Sequence, residues 1–169
     1  WLFYLNEILN FISAEIKKNC EFDSLYFAFI DYEKENLVIE KMEFIDEFKG
    51  VEKYRLKTKY PLTVDNCNSI CFIKNEVQDI TRKKITNCDG ITARFFDLFK
   101  INHAFFIPIS KENIKIGVLC LINHNSFIKK NSVKNSAKIL NDNFEFLHKS
   151  LDYIRLKEKQ AEIEKYAFL

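Results

Sequence analysis

Cys67 and Cys71 stand four residues apart, so they share one face if their segment is helical. With Cys88 or His103 they offer soft ligands for zinc, or a pair of thiols for redox exchange. The spacing is not that of a zinc finger, and the remaining ligands would have to come from distant segments, so no metal is assigned. A haem would need a histidine such as His103, His124 or His148 as axial ligand, and His103, just ahead of a strand, is the best placed. The chain has three glycines, no Gly-x-Ser-x-Gly elbow and no phosphate-cradling loop. Carboxylates are plentiful but sit in mixed-charge runs such as "DYEKEN", which read as solvated turns. No catalytic residue is assigned, and the chain is not expected to be an enzyme.

The 169 residues suffice for one domain with a sizeable core. Hydrophobic residues make up 47% and charged residues 30%, as in ordinary globular chains. Seventeen Phe and seven Tyr predict a core built on rings. The 26 basic and 24 acidic residues are mixed along the chain, for a net charge of +2. That pattern has no basic stripe to attract nucleic acid. Five cysteines, odd in number and irregularly spaced, read as reduced thiols of a cytoplasmic protein, with Cys20 and Cys120 among apolar neighbours. No apolar run is long enough to span a bilayer, no membrane contact is expected, and no signal peptide is visible. The start at Trp1, inside a helical pattern and without Met, reads as a piece of a longer protein.

Leu2, Leu5, Leu9, Ile12 and Ile16 recur at steps of three and four, the stripe of an amphipathic helix. Trp1, Tyr4, Ile8 and Phe11 widen that stripe enough for part of it to meet a partner chain. "SLYFAFID" (24–31) and "ENLVIEKMEFI" (35–45) read as a strand hairpin, and "KYRLKTKYPL" (53–62) as a third strand, placed at an edge by Pro61. "DNCNSICFIKN" predicts a short capped helix and "EVQDI" a brief strand; 81–100 reads as loop and helix around Gly90. The strands at 103–110 and 115–123, joined by "KEN", must pair antiparallel. Gly117 within the second predicts a bulge or the close approach of a backbone or ligand. "NSFIKKNSVKNSAKI" reads as a polar connection into a long last helix, whose Leu140, Phe144, Leu147, Leu151 and Ile154 form a heptad seam. The order of elements makes an α+β domain: a central antiparallel sheet of five to six strands, helices on one face, and packed N- and C-terminal helices.

"HAFFIPIS", with Pro108 closing the strand, then "KIGVLCLIN" and Phe127 ahead of the final helix, resemble the corresponding elements of a GAF domain, the small-molecule-sensing module of signalling proteins. "SLYFAFID" and "QDI" agree in order and spacing, and the likeness runs from about Leu5 to Ser150. The resemblance implies a sensor domain over 1–150 and a signalling helix or coiled-coil connector over 151–169, leading to an output domain of the kinase or nucleotide cyclase type. It implies an effector in a mostly apolar pocket between the sheet and the central helices, with Phe27, Phe29, Cys71, Phe72, Phe95, Phe96, His103 and Phe105 as candidate lining. It also implies a homodimer through the terminal helices, with Leu5, Leu9, Ile12, Leu140, Phe144, Leu147, Leu151 and Ile154 as the interface.

The family's known ligands find little support in these residues. Of the cyclic-nucleotide motif, Asn123 and Phe127 are kept, His124 stands where Lys is expected, and "IKKNS" has no Asp-Glu pair. No Cys precedes a His, as bilin attachment commonly requires. The cofactor is thus unknown. Two alternatives stay open: a thiol enzyme of the methionine sulfoxide reductase kind, using at least two of Cys67, Cys71 and Cys88, and a ligand-free dimerisation spacer.

Overall fold

The computed structural model describes residues 4–63, 66–87 and 90–167. Its described strands are β1 (Ser24–Asp31), β2 (Asn36–Glu43), β3 (Lys59–Pro61), β4 (Gln78–Thr81), β5 (His103–Lys111) and β6 (Ile114–Asn123). They form one antiparallel sheet in the order β3-β2-β1-β6-β5-β4. Helices α1 (Leu5–Asn19), α2 (Lys49–Arg55), α3 (Cys67–Lys74), α4 (Gly90–Leu98), α5 (Lys130–Asp142) and α6 (Phe144–Ala167) complete it. This is the expected α+β plan, except that helices lie on both faces of the sheet rather than on one. The β5–β6 hairpin turns through Glu112 and Asn113, both at positive φ, as a tight two-residue connection requires.

The sheet is covered on both faces, and the cross-strand register says by what. Lys41 and Glu43 lie opposite Phe27 and Leu25 in the β1–β2 ladder, and they reach Asn10 and Lys17 on α1. Leu25, Phe27 and Phe29 therefore point toward the terminal helices, and the Phe27 and Phe29 rings lie parallel. Tyr26 points the opposite way, to Asn68 on α3 and the Phe95 ring on α4. Burying one such aromatic side chain contributes roughly 1.5–3 kcal/mol, and β1 is buried from Ser24 to Ile30.

Gly117 shows why the centre of the sheet can close. It lies opposite Phe29, and a Cβ built there would overlap the Ala28 carbonyl oxygen and come within 2.8 Å of Phe29 Cδ1. The close neighbour expected from the sequence is the backbone of β1.

Three expectations are corrected. Residues 53–62 are not a continuous strand: α2 runs through Lys49–Arg55, and only Lys59–Pro61 pairs, at the edge, with β2. Glu52 in its first turn and Lys53 and Arg55 in its last suit a helix dipole better than a ladder. The polar connection before the last helix is itself helical over Lys130–Asp142, and the chain bends at Asn143 before α6 begins. Its buried face includes Ser132 and Ser136 as well as Leu140, so its sequence looks polar although it packs against α1 and β5.

The third correction concerns the expected dimer seam. Leu5, Leu9, Ile12, Leu140, Phe144, Leu147 and Leu151 are buried within this chain, and Ile154 is packed half-buried against the same core. The seam joins the terminal helices to their own sheet and leaves no room there for a second chain. Beyond it, α6 is exposed from Leu156 to Ala167. Arg155 marks the boundary. Its guanidinium donates to the carbonyls of Ile30 (2.9 Å) and Phe29 (3.2 Å) on β1 and to Glu40 Oε1 on β2 (3.2 Å).

Candidate functional site

The register divides the eight expected pocket residues between two faces. Cys71 and Phe72 on α3 and Phe95 and Phe96 on α4 lie on the Tyr26 side of the sheet. Phe27, Phe29 and Phe105 lie on the terminal-helix side, since Phe105 is opposite Leu121, which is opposite Leu25. His103, two residues along β5 and in ring contact with Phe105, joins them. One pocket cannot be lined by both sets. Both faces of β1 are apolar, and periodicity alone does not say which one meets α3 and α4.

What lies between the sheet and these helices is an aromatic cluster with a polar seam. Phe44, Phe48, Phe95 and Phe99 contact one another at centroid distances of 4.6–6.5 Å. Tyr26 joins through Phe95 at 5.5 Å, and Phe48 stacks on His124 at 5.0 Å. His124 Nδ1 meets the Phe99 carbonyl, an acceptor only, so this nitrogen carries the proton. Its Nε2 then accepts from the Ser24 hydroxyl at 2.8 Å, and Ser24 Oγ takes the Ile45 N–H.

The polar seam belongs to the start of α3. Asn66 caps the helix by accepting the Ser69 N–H at 2.9 Å, and Ser69 Oγ donates to the Pro61 carbonyl at 2.7 Å. Thr92 of α4 accepts the Cys67 N–H at 3.2 Å, tying the two helices together. The Tyr26 hydroxyl donates to Asn68 Oδ1 in the middle of the core. All five polar residues are buried. Burial pushes the Tyr26 phenol well above its usual range; burial also pushes Tyr60 up to about 12, with Arg55 opposing it only in part.

The thiols lie in this same space. Cys67 and Cys71 are buried on α3, and Cys120 is buried on β6, opposite Tyr26. Burial, and to a lesser degree the mutual approach of the thiols, pushes Cys71 and Cys120 far above the ordinary thiol range. A thiol enzyme needs the reverse, an accessible group with thiolate character. Cys88 lies outside the described residues. Among the described residues no group of three His, Cys, Asp or Glu side chains could hold a metal. Native protein treated with a maleimide is therefore expected to label at half-buried Cys20 well before Cys67, Cys71 or Cys120, read by peptide mapping. Rapid labelling of Cys67 and Cys71 as a pair would revive the thiol-enzyme reading.

The remaining candidates have structural partners. His103 Nδ1 accepts the Ile128 N–H at 2.8 Å while Nε2 meets Asp79 Oδ1 at 2.6 Å, so neither nitrogen is available to a haem iron. His148 faces Asp152 one turn along α6. Asn123 accepts the Asp23 N–H at 2.8 Å and donates to Ser126, fixing the turn after β6. Phe127 is 65% exposed, and the residue plugged into the core is Ile128. Clefts lie elsewhere, among them one of about 270 Å³ between the β1–β2 hairpin and α6, and one of about 360 Å³ bounded by Ile8, Phe11 and Phe146. Sequence reasoning missed Tyr26, Asn68 and Thr92. The signal available was a polar residue at each otherwise apolar position.

No family model matches the chain, and no curated protein matches it either. Solved structures do. The GAF domain of a two-component sensor histidine kinase from Bacillus halodurans superimposes with a TM-score of 0.71 at 16% identity, over 91% of this chain and 97% of that one. A GAF domain/HD domain protein from Geobacter sulfurreducens gives 0.69 at 10% identity, over 87% and 94%. The GAF domain of a phosphoenolpyruvate-protein phosphotransferase from Coxiella burnetii gives 0.59 at 10% identity, over 93% and 94%. At such identities the likeness is one of architecture, and it spans nearly the whole of each partner. The sheet order, the helices on its two faces and these superpositions agree that this chain has the fold of a GAF domain.

Proposed function

We propose that this chain is the regulatory sensor and dimerisation module of a larger cytoplasmic signalling protein. The observation that carries the reading is the buried polar set of Tyr26, Asn66, Asn68, Ser69 and Thr92 under α3 and α4. Asn66, Ser69 and Thr92 serve the start of α3, but the Tyr26–Asn68 bond serves no helix end, and leaving either partner unpaired costs roughly 1–3 kcal/mol. Departures of this kind from simple core packing concentrate where a protein must recognise something. The GAF domains of the sensor histidine kinase and the phosphotransferase support a signalling context.

The effector is a small, mostly apolar molecule with one polar group that exchanges for the Tyr26–Asn68 bond. Its entry requires α3 and α4 to lift from the sheet, with Phe95 turning aside. The displacement reaches α6 through β1 and β2, and α6 hands it to an output domain of the kinase or nucleotide cyclase type. A ligand has energetic leverage only to the extent that it prefers the lifted state.

A second reading is favoured by the ring cluster itself, which fills the space under α4: a spacer that binds nothing and only joins two copies. Native mass spectrometry of the protein as purified, followed by thermal shift against a metabolite extract, separates the two. A small-molecule adduct or a raised Tm, abolished by Asn68→Ala, supports the sensor. No adduct and no shift with any fraction defeats the sensor reading and leaves the spacer.

A further inference from the structure

β6 begins with an irregularity that aims one side chain. Ile109 pairs with Gly117 and Ser110 with Lys115, so Ile116 is an extra residue, a bulge. Without it, Lys115 would lie on the face of Gly117, toward the terminal helices. With it, Lys115 shares the face of Ser110, and both reach α3. Lys115 Nζ donates to the Ile73 carbonyl at 2.9 Å and lies 5.6 Å from the centre of the Phe72 ring. Ser110 Oγ donates at 2.7 Å to Oδ1 of Asn75, the left-handed residue that ends the helix. A cation at the last carbonyls of a helix also suits its dipole. The end of α3 is thereby fastened to the β5–β6 hairpin, as its start is fastened to Pro61 and Thr92.

The central ladder stops at the same bulge, with β1 and β6 paired as far as Phe29 and Gly117. Beyond that point side chains take over the backbone. The hydroxyl of Tyr32, the residue after β1, donates to the Lys115 carbonyl, and Arg155 of α6 holds the Phe29 and Ile30 carbonyls. Tyr32 stands in the cleft between the β1–β2 hairpin and α6. Burial there, and then the Asp152 carboxylate of α6, raise its phenol above the usual range, so the hydroxyl keeps its proton. Its neighbours Glu33 and Lys34 pair with Lys159 and Glu162 of that helix. Lys115 thus holds α3 with its side chain, while its carbonyl holds the hairpin that grips α6.

We infer that Lys115 and Tyr32 form the joint through which the position of α3 is passed to α6. The inference rests on the sensor reading and names the residues of its relay. When α3 lifts, the ammonium loses the Ile73 carbonyl, β6 relaxes at its bulge, and the Tyr32 hydroxyl loses its fixed acceptor. The hairpin is then free to shift, and α6 shifts with it. Coupling is reciprocal, so loosening the hold on α6 must also loosen α3.

A native thiol tests this without any effector. Cys71 of α3 is buried, so its rate of maleimide labelling, followed by peptide mapping, reports the lifting of that helix. Exchange of the β1 amides, which requires unfolding of the whole domain, corrects each rate for global stability. Lys115→Met keeps the stem and removes the ammonium, and should raise the corrected rate about fivefold. Arg155→Gln, at the opposite end of the joint, should raise it about threefold. Tyr32→Phe removes only the hydroxyl, and in that background Arg155→Gln should change the rate by less than about 1.3-fold. If Arg155→Gln does not fold, Lys159→Ala takes its place in the cycle, since that ion pair is exposed. An equal effect with and without the Tyr32 hydroxyl overturns the inference, as does a Lys115→Met variant that labels at the parent rate. Either failure removes the joint and leaves the sensor standing; an adduct-free, shift-free protein defeats the sensor and leaves this coupling measurable.

Discussion

Gly117→Ala will cost the domain about 3 kcal/mol, the upper end of what overpacking a core usually costs. The new Cβ has to occupy space held by the Ala28 carbonyl oxygen, a backbone atom fixed on both sides by the β2 and β6 ladders. Side chains can rotate away from a methyl group; this carbonyl can move only if two central strands part. The register partner Phe29 offers no relief, because its ring is packed flat beside Phe27. Urea denaturation with far-ultraviolet circular dichroism measures the loss. A variant within 1 kcal/mol of the parent would mean that β1 and β6 are not so closely apposed.

Charging Leu147 and Leu151 together, to aspartate, will abolish folding rather than merely separate two copies. Leu147 is 0% and Leu151 1% exposed, both against the sheet and α1. A carboxylate at either site has no buried partner and costs about 4 kcal/mol even after it takes up a proton. Two such losses, added to the roughly 2–5 kcal/mol of packing that each buried leucine supplies, use up what most domains hold in reserve, about 5–15 kcal/mol. The expected readout is loss of the cooperative thermal transition and insoluble expression. A folded, soluble monomer would instead restore this heptad as an intermolecular seam.

The fate of the heptad on the last helices shows what could be read in advance. The hairpins were legible because β1, β5 and β6 are short, aromatic or β-branched, and bounded by turn residues. The heptad from Leu140 to Ile154 was legible as a pattern, but a pattern of apolar spacing does not say who covers it. The chain's own sheet needed covering, and it took the stronger stripe. α5 escaped notice because part of its buried face is serine, small enough to pack closely and polar enough to look like a loop. The candidate site was half legible for a related reason. With both faces of β1 apolar, only the cross-strand partners decide that Tyr26, and not Phe27 or Phe29, meets α3.

Arg155 gives the exposed end of α6 a fulcrum. Two carbonyls of β1 and a carboxylate of β2 hold the rod at that point, and Lys57, beside the edge strand, grips the same carboxylate. From there to Ala167 the rod extends about 18 Å at helical rise. A tilt of the β1–β2 ribbon by about 10° would therefore swing its tip by about 3 Å. Leverage of that size is enough to shift a neighbouring helix by a large part of one side chain, without any large movement inside the domain.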